Sequence, residues 1–145
     1  MDLLTKVSDI NCRPIRAHAS DAGMDLKSTI STVLEIDTSI VIDSGVAFKI
    51  PIGYVGLVFA RSGMAKYNVS PANCVGVIDS EYRGNVKINL HNYSSTPYKI
   101  EKYDRIGQIV ILPIALPNLI IADWDDNIWF DTDRGLGGFG STGIK

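Results

Sequence analysis

VLEIDTSIVIDSGVAFKIPIGYVGLVF, residues 33–59, is a series of short β-branched and aromatic stretches broken by Asp, Ser, Gly and Pro. Residues 33–36, 40–42, 46–50 and 54–59 each have the length and composition of a strand. Asp37-Thr38-Ser39, Ser44-Gly45 and Pro51-Ile52-Gly53 between them have turn chemistry. The same grammar continues outward through residues 75–78, 86–90 and 106–112, with Ser70-Pro71, Arg83-Gly84 and Ser95-Thr96-Pro97 as punctuation. Short strands at this spacing predict an all-β domain: a sandwich, a barrel or a jelly roll. Residues 90–100 read as a hairpin around 94–97. No segment of helical length carries helical spacing, and the best candidate is one or two turns near residues 63–68.

The chain has 145 residues, room for one domain of ordinary size. Hydrophobic residues make up 46% and charged residues 21%, enough for a packed core. The net charge is −2 and no Lys/Arg run exists, which argues against a polymer nucleic-acid binder but not against a small anionic nucleotide. No apolar run approaches the ~20 residues of a membrane span. Residues 1–5 lack the charged start and long apolar run of a signal peptide, so a cytoplasmic, reduced location is expected. Cys12 and Cys74 form no CxxC or Cys/His cluster, which argues against structural zinc. Cys74, between Asn73 and Val75-Gly76-Val77, reads as a small core residue.

Residues 1–130 form the expected β core and residues 131–145 an arm. The arm carries Gly135, Gly137, Gly138, Gly140 and Gly143 and almost no core-forming residue. Such a segment is a tail, or it orders on a ligand or a neighbouring subunit.

Several familiar patterns fail. Gly135-Leu136-Gly137-Gly138-Phe139-Gly140 satisfies GxGxxG, but too little chain follows to build the helix of a dinucleotide fold. There is no GxxxxGK[ST]. Asp123-x-Asp125 begins like a calcium loop, yet Arg134 stands where its closing Glu belongs. The histidines are His18 and His91, and no GxSxG accompanies them.

Five polar, glycine-bearing segments remain beside the apolar strands. They are Asp21-Ala22-Gly23-Met24-Asp25-Leu26, Arg61-Ser62-Gly63-Met64-Ala65, Gly76-Val77-Ile78-Asp79-Ser80-Glu81-Tyr82-Arg83-Gly84, Asp104-Arg105-Ile106-Gly107-Gln108, and residues 134–143. In order and spacing they resemble the five motifs of the trimeric dUTPase family, from about residue 20 to residue 143. The chain departs from the family pattern at Met24 (commonly aromatic), Phe59-Ala60 (a proline is usual), Glu81 (often Asp), Tyr103 (Gly) and Gly107 (Ala). None of these removes a group needed for chemistry.

The resemblance implies an all-β, jelly-roll-like dUTPase fold with one short helix and a Gly-rich arm. It implies hydrolysis of dUTP to dUMP and diphosphate, keeping uracil out of DNA and supplying dUMP for dTMP synthesis. Asp79 follows an apolar strand, and an ionised carboxylate can orient and deprotonate a water. The resemblance makes it the general base for attack on the α-phosphorus; the alternative is a turn-capping Asp. Phosphoryl transfer needs positive charge and aimed donors. The resemblance places Arg61, Ser62, Gly63, Gln108, Arg134, Gly140 and Ser141 around the triphosphate. Asn73, Gly76, Val77 and Ile78 would pair with the uracil edge, and Tyr82 would pack on deoxyribose. Phe139 would stack on the base, worth ~1–3 kcal/mol. Mg²⁺ is the implied cofactor, chelated mainly by the triphosphate and water, with Asp25 touching it through water. Asp25 could equally be the structural partner of an arginine, and Asp21 reads as a turn residue.

By resemblance the protein is a homotrimer with sites at subunit interfaces. One chain would supply the first, second and fourth motifs, another the third, and the last the arm. The rivals are dCTP deaminase, whose proton-shuttling Glu position falls on Asn89, and a dUTP-binding regulator that signals to an unidentified protein partner.

Overall fold

A computed structural model describes residues 2–123, 132, 133, 135, 137 and 138. Residues Met1–Ala115 make one compact unit and Leu116–Lys145 a second. The first unit is all-β and jelly-roll-like, with one short helix.

The strands are β1 (Leu4–Val7), β2 (Met24–Lys27), β3 (Thr32–Leu34), β4 (Ser39–Asp43), β5 (Val46–Lys49) and β6 (Tyr54–Phe59). They continue as β7 (Val69–Pro71), β8 (Gly76–Ile78), β9 (Lys87–Asn92), β10 (Tyr98–Ile100) and β11 (Arg105–Pro113). The helix α1 spans Ser62–Ala65, at the start of the stretch expected to turn helical. Every strand pair is antiparallel. The largest sheet has the order β2-β11-β6-β8, a second has β4-β9-β7, and the pairs β1-β5 and β10-β3 complete the walls. Pro71 is tolerated because β7 lies at a sheet edge, where a missing N–H costs little.

Alternation fills the core. Ile88 and Leu90 of β9 point inward while Lys87 is exposed, and Ile42 of β4 and Leu26 of β2 meet them in one cluster with Phe48, Val58, Ile106 and Ile109. Among the described residues no helix is long and apolar enough to cross a membrane.

Two expectations are corrected. Residues 90–100 are not a hairpin: β9 pairs with β4 and β7, whereas β10 pairs with β3 in another sheet. The cause is Asn92, fully buried. Its amide donates to the carbonyls of Leu34 (3.0 Å) and Thr96 (2.8 Å), and its Oδ1 accepts from the Ser94 amide. These bonds hold a turn that sends the chain away from β9 toward β3. Cys74 is not a core residue either. It is exposed, at a left-handed position (φ 59) in the turn between β7 and β8. The core cysteine is Cys12, whose thiol burial pushes above its usual pKa.

The departures in the fourth motif have physical compensation. Tyr103 takes φ 74, a conformation natural to glycine and costly for a side-chain-bearing residue. Its hydroxyl donates to Asp9 Oδ2 at 2.6 Å, and the Lys102 ammonium sits 4.9 Å from its ring centre. At Gly107 the Cδ1 of Ile88 occupies the space a Cβ would need, at 2.6 Å. Ile88 and Gly107 are one packing solution, the isoleucine filling the space that a side chain at 107 would need.

The Tyr103 hydroxyl, followed by the Asn11 amide, holds the Asp9 carboxyl below the usual carboxylate range. A depressed pKa contributes stability above the unfolded value, ~3.9, and loses it as the pH falls through the folded value. Tyr103→Phe, which keeps the strain and loses the bond, is expected to lower the melting temperature at neutral pH. The deficit should shrink below pH ~3.9, as thermal melts across the acid range would show.

Candidate active site

Three neighbouring strands build one cleft. Asp25 of β2 lies opposite Gln108 of β11, and Gln108 lies opposite Phe59 of β6. The chain leaves β6 through Ala60 and turns at Arg61 into α1. The Gln108 amide donates to the Ala60 carbonyl at 2.9 Å, fixing that exit, and its side chain packs against Gly23. Arg61 Nε donates to Asp25 Oδ1 at 2.6 Å and Arg61 Nη2 reaches Oδ2 at 3.4 Å. Arg105 Nη1 reaches the same Oδ2 at 3.3 Å. Asp25, Arg61, Ser62, Arg105 and Gln108 all line this cleft, of about 330 Å³, beside Gly23.

Two guanidiniums against one carboxylate leave the cluster cationic. Asp25 is mostly enclosed (14% exposed side chain) and Arg61 nearly so (23%), so their attraction is less screened than at an open surface. The first amides of α1, at Ser62 and Gly63, have no carbonyl behind them within the helix. Cations, free amides, a hydroxyl and an amide side chain in one cleft are the donor set for a phosphate chain. Asp21 is a turn residue as expected: its carboxylate accepts from the His18 amide at 2.9 Å, which holds its pKa below the usual value.

The third motif lies elsewhere. β8 hangs on β6 with Val58 opposite Gly76 and Gly56 opposite Ile78. Asn73 stands just before β8 with its amide beside Gly76. Val77, Ile78, Asp79, Tyr82 and Lys87 line a smaller hollow of about 200 Å³. Tyr82 is held by its hydroxyl, which donates to the Asn85 carbonyl at 3.0 Å. Asp79 is exposed. Its carbonyl accepts from the Tyr82 amide, closing the turn, while its carboxylate has no hydrogen bond or ion pair among the described residues. The turn is therefore not side-chain-capped, and the carboxylate stays available.

The two groups of residues do not meet within one chain. The antiparallel register puts Asp79 level with Val55 and Arg61 beyond the other end of β6, roughly 20 Å along the strand at ~3.3 Å per residue. The two hollows share no lining residue. Arg134, Phe139, Gly140 and Ser141 lie outside the described residues. Arg105 is the charged cleft residue that carried no expected role; its place in the fourth motif, three residues before Gln108, was the available signal.

A dUTPase family model matches residues 12–143, a span containing all five motifs. The chain belongs to the dUTPase family. It is 40% identical over 148 residues to the deoxyuridine 5'-triphosphate nucleotidohydrolase of Escherichia phage T5, covering 97% of each chain. Its fold superposes on Staphylococcus bacteriophage 80alpha dUTPase with dUPNHPP at a TM-score of 0.86, with 34% identity and 99% of both chains covered. A dUTPase from phage phi11 of S. aureus, described with a structural Mg(II) ion, matches at a TM-score of 0.78 and 31% identity, over 86% of this chain and 99% of that one. The activity is that of a dUTP nucleotidohydrolase.

Within this family assignment Asp25 has a visible role, which is to orient Arg61. Asp25→Ala is expected to lower kcat/KM for dUTP by about 10²-fold through misplacement of the guanidinium. Steady-state dUTP hydrolysis checks this.

Proposed function

We propose that dUTP is hydrolysed to dUMP and diphosphate by water attack on the α-phosphorus, with Asp79 as the general base and Mg²⁺ as cofactor. The observation that carries the role of Asp79 is its exposed carboxylate at the end of β8, without a partner among the described residues. A carboxylate neither capping a turn nor paired is free to hold a water and take its proton. Arg61, Ser62 and Gln108, which line the cleft, and Gly63, the next residue of α1, hold the phosphate chain and stabilise the charge that develops on the leaving diphosphate. Arg134 adds to them from the arm, and Gly140 and Ser141 close over the phosphates.

Among the described residues no group of three His, Cys, Asp or Glu side chains converges on a point. Asp25 already accepts from two arginines. That donor set fits an ion carried by triphosphate oxygens and water, not an all-protein cage. Mg²⁺ bound there would neutralise charge on the phosphate oxygens, and Asp25 would hold it through water.

Asn73 and the β8 backbone select uracil, Tyr82 packs on deoxyribose, and Phe139 stacks on the base. The enzyme works in the cytoplasm, keeping uracil out of DNA and supplying dUMP.

The active unit is a homotrimer. One nucleotide must touch both the arginine cleft and Asp79, yet a single chain sets them roughly 20 Å apart along β6. A neighbouring subunit's β8 resolves the distance. Leu116, Leu119, Ile120 and Ile121 are 65%, 91%, 91% and 95% exposed, an apolar run that calls for cover.

Asp79→Asn is expected to lose about 10²–10⁴ in kcat with folding intact, read as diphosphate release from dUTP beside dCTP, dTTP and UTP. Near-normal turnover would remove Asp79 from the mechanism, and ammonia from dCTP would indicate deamination instead. Phe139→Ala should weaken dUTP binding by about 10-fold without lowering the melting temperature, as titration calorimetry would report. Light scattering should give three chain masses of 15.8 kDa each.

A further inference from the structure

Gly23, the residue before β2, lines the cleft together with Gln108 of β11. Its backbone lies outside the left-handed region, so the conformation is open to any residue. What singles it out is space. A Cβ built on Gly23 would stand 2.2 Å from Gln108 Oε1, 3.2 Å from its Cδ and 3.4 Å from its Cβ. Gly63 of α1 is different: a Cβ there would find its nearest side-chain atom, Arg61 Nη1, at 3.9 Å. The space left empty at Gly23 belongs to one side chain, that of Gln108.

That space decides which way the Gln108 amide faces. The Ala60 carbonyl can only accept, so Nε2 turns to it, at 2.9 Å, and Oε1 turns toward Gly23. Nε2 carries two hydrogens. The Ala60 bond uses one, and the second has no acceptor among the described residues. At 2.2 Å a methyl group at position 23 and Oε1 cannot coexist. The atom in the way is the far end of a flexible side chain, so the clash is relieved by swinging the amide rather than by moving backbone. The cost falls on the bond to Ala60 and on the aim of the second hydrogen, not on the core.

We propose that Gly23 is a positioning residue for dUTP hydrolysis. By carrying no side chain it keeps the Gln108 amide against Ala60, with the second Nε2 hydrogen free for a phosphate oxygen. Gly23 touches no reacting atom and acts through Gln108. The inference rests on the phosphate-holding role of Gln108.

The test is a double-mutant cycle in steady-state dUTP hydrolysis, with Gly23→Ala, Gln108→Ala and the double variant beside the parent. Gln108→Ala is expected to lower kcat/KM by about 10–100-fold, the range for a hydrogen bond to a charged group. Gly23→Ala should lower it by about 10-fold, with the melting temperature within about 3 °C of the parent, because the lost bond and the stiffer unfolded chain offset each other. The double variant should match Gln108→Ala within about two-fold, since without the amide the methyl displaces nothing. Losses that multiply in the double variant overturn the proposal, and mark a methyl that blocks the nucleotide or distorts the cleft directly. Parent-like kinetics in Gly23→Ala also overturn it. So does a Gly23→Ala chain that melts far below the parent or does not fold, because the glycine then serves the fold. Parent-like turnover in Gln108→Ala would withdraw Gln108 from phosphate binding and the role of Gly23 with it; that outcome alone reaches back to the functional reading.

Discussion

The carboxylate of Asp25 is the point on which the site depends. Two guanidiniums in one cleft repel each other and would otherwise extend into water. Asp25 draws Arg61 inward through a 2.6 Å bond and holds Arg105 at 3.3 Å. The contact joins segments far apart in sequence: β2, the exit of β6 and the start of β11. The sheet order β2-β11-β6 exists in the folded chain alone, so the Asp25–Arg61–Arg105 cluster forms only once this sheet does.

The same sheet also keeps the arginine cleft and Asp79 apart within one chain. β8 occupies the edge opposite β2, and its register along β6 carries Asp79 to the end far from Arg61. Neither a rotamer change nor a loop adjustment closes a gap of roughly 20 Å set by strand register. The proposed trimer answers that gap, because a closed ring would bring one chain's Arg61 to a neighbour's Asp79.

The strands of residues 33–59 are legible because each is a short β-branched or aromatic run between turn residues, whether it alternates, as β4 does, or is buried along most of its length, as β5 is. β1, β2 and β7 are not: each is short, β2 lies inside a polar motif, and β7 ends in Pro71. The supposed hairpin at 90–100 shows the limit of turn chemistry. Ser94–Pro97 does turn, but buried Asn92, bonded to Leu34 and Thr96, decides which strand receives the chain. Cys74 misleads because its apolar neighbours lead into β8, whereas Cys74 itself takes a left-handed position in the preceding turn and is exposed. Within the site, motif spacing leads to Arg61, Gln108 and Asp79. It gives no access to the register shift between Arg105 and Gly107, a property of strand pairing that puts Arg105 on the same cleft as Gln108.

The most direct test of a site divided between subunits is complementation. Asp79→Asn chains and Arg61→Ala chains, each inactive alone, would be mixed in equal amounts, unfolded and refolded together, and assayed for dUTP hydrolysis. The account predicts recovery of roughly a quarter of parental activity, because random assembly places an intact Arg61 and an intact Asp79 from different chains in that share of sites. No recovery, with mixed oligomers demonstrated, would place Arg61 and Asp79 of one chain in one site and contradict the account.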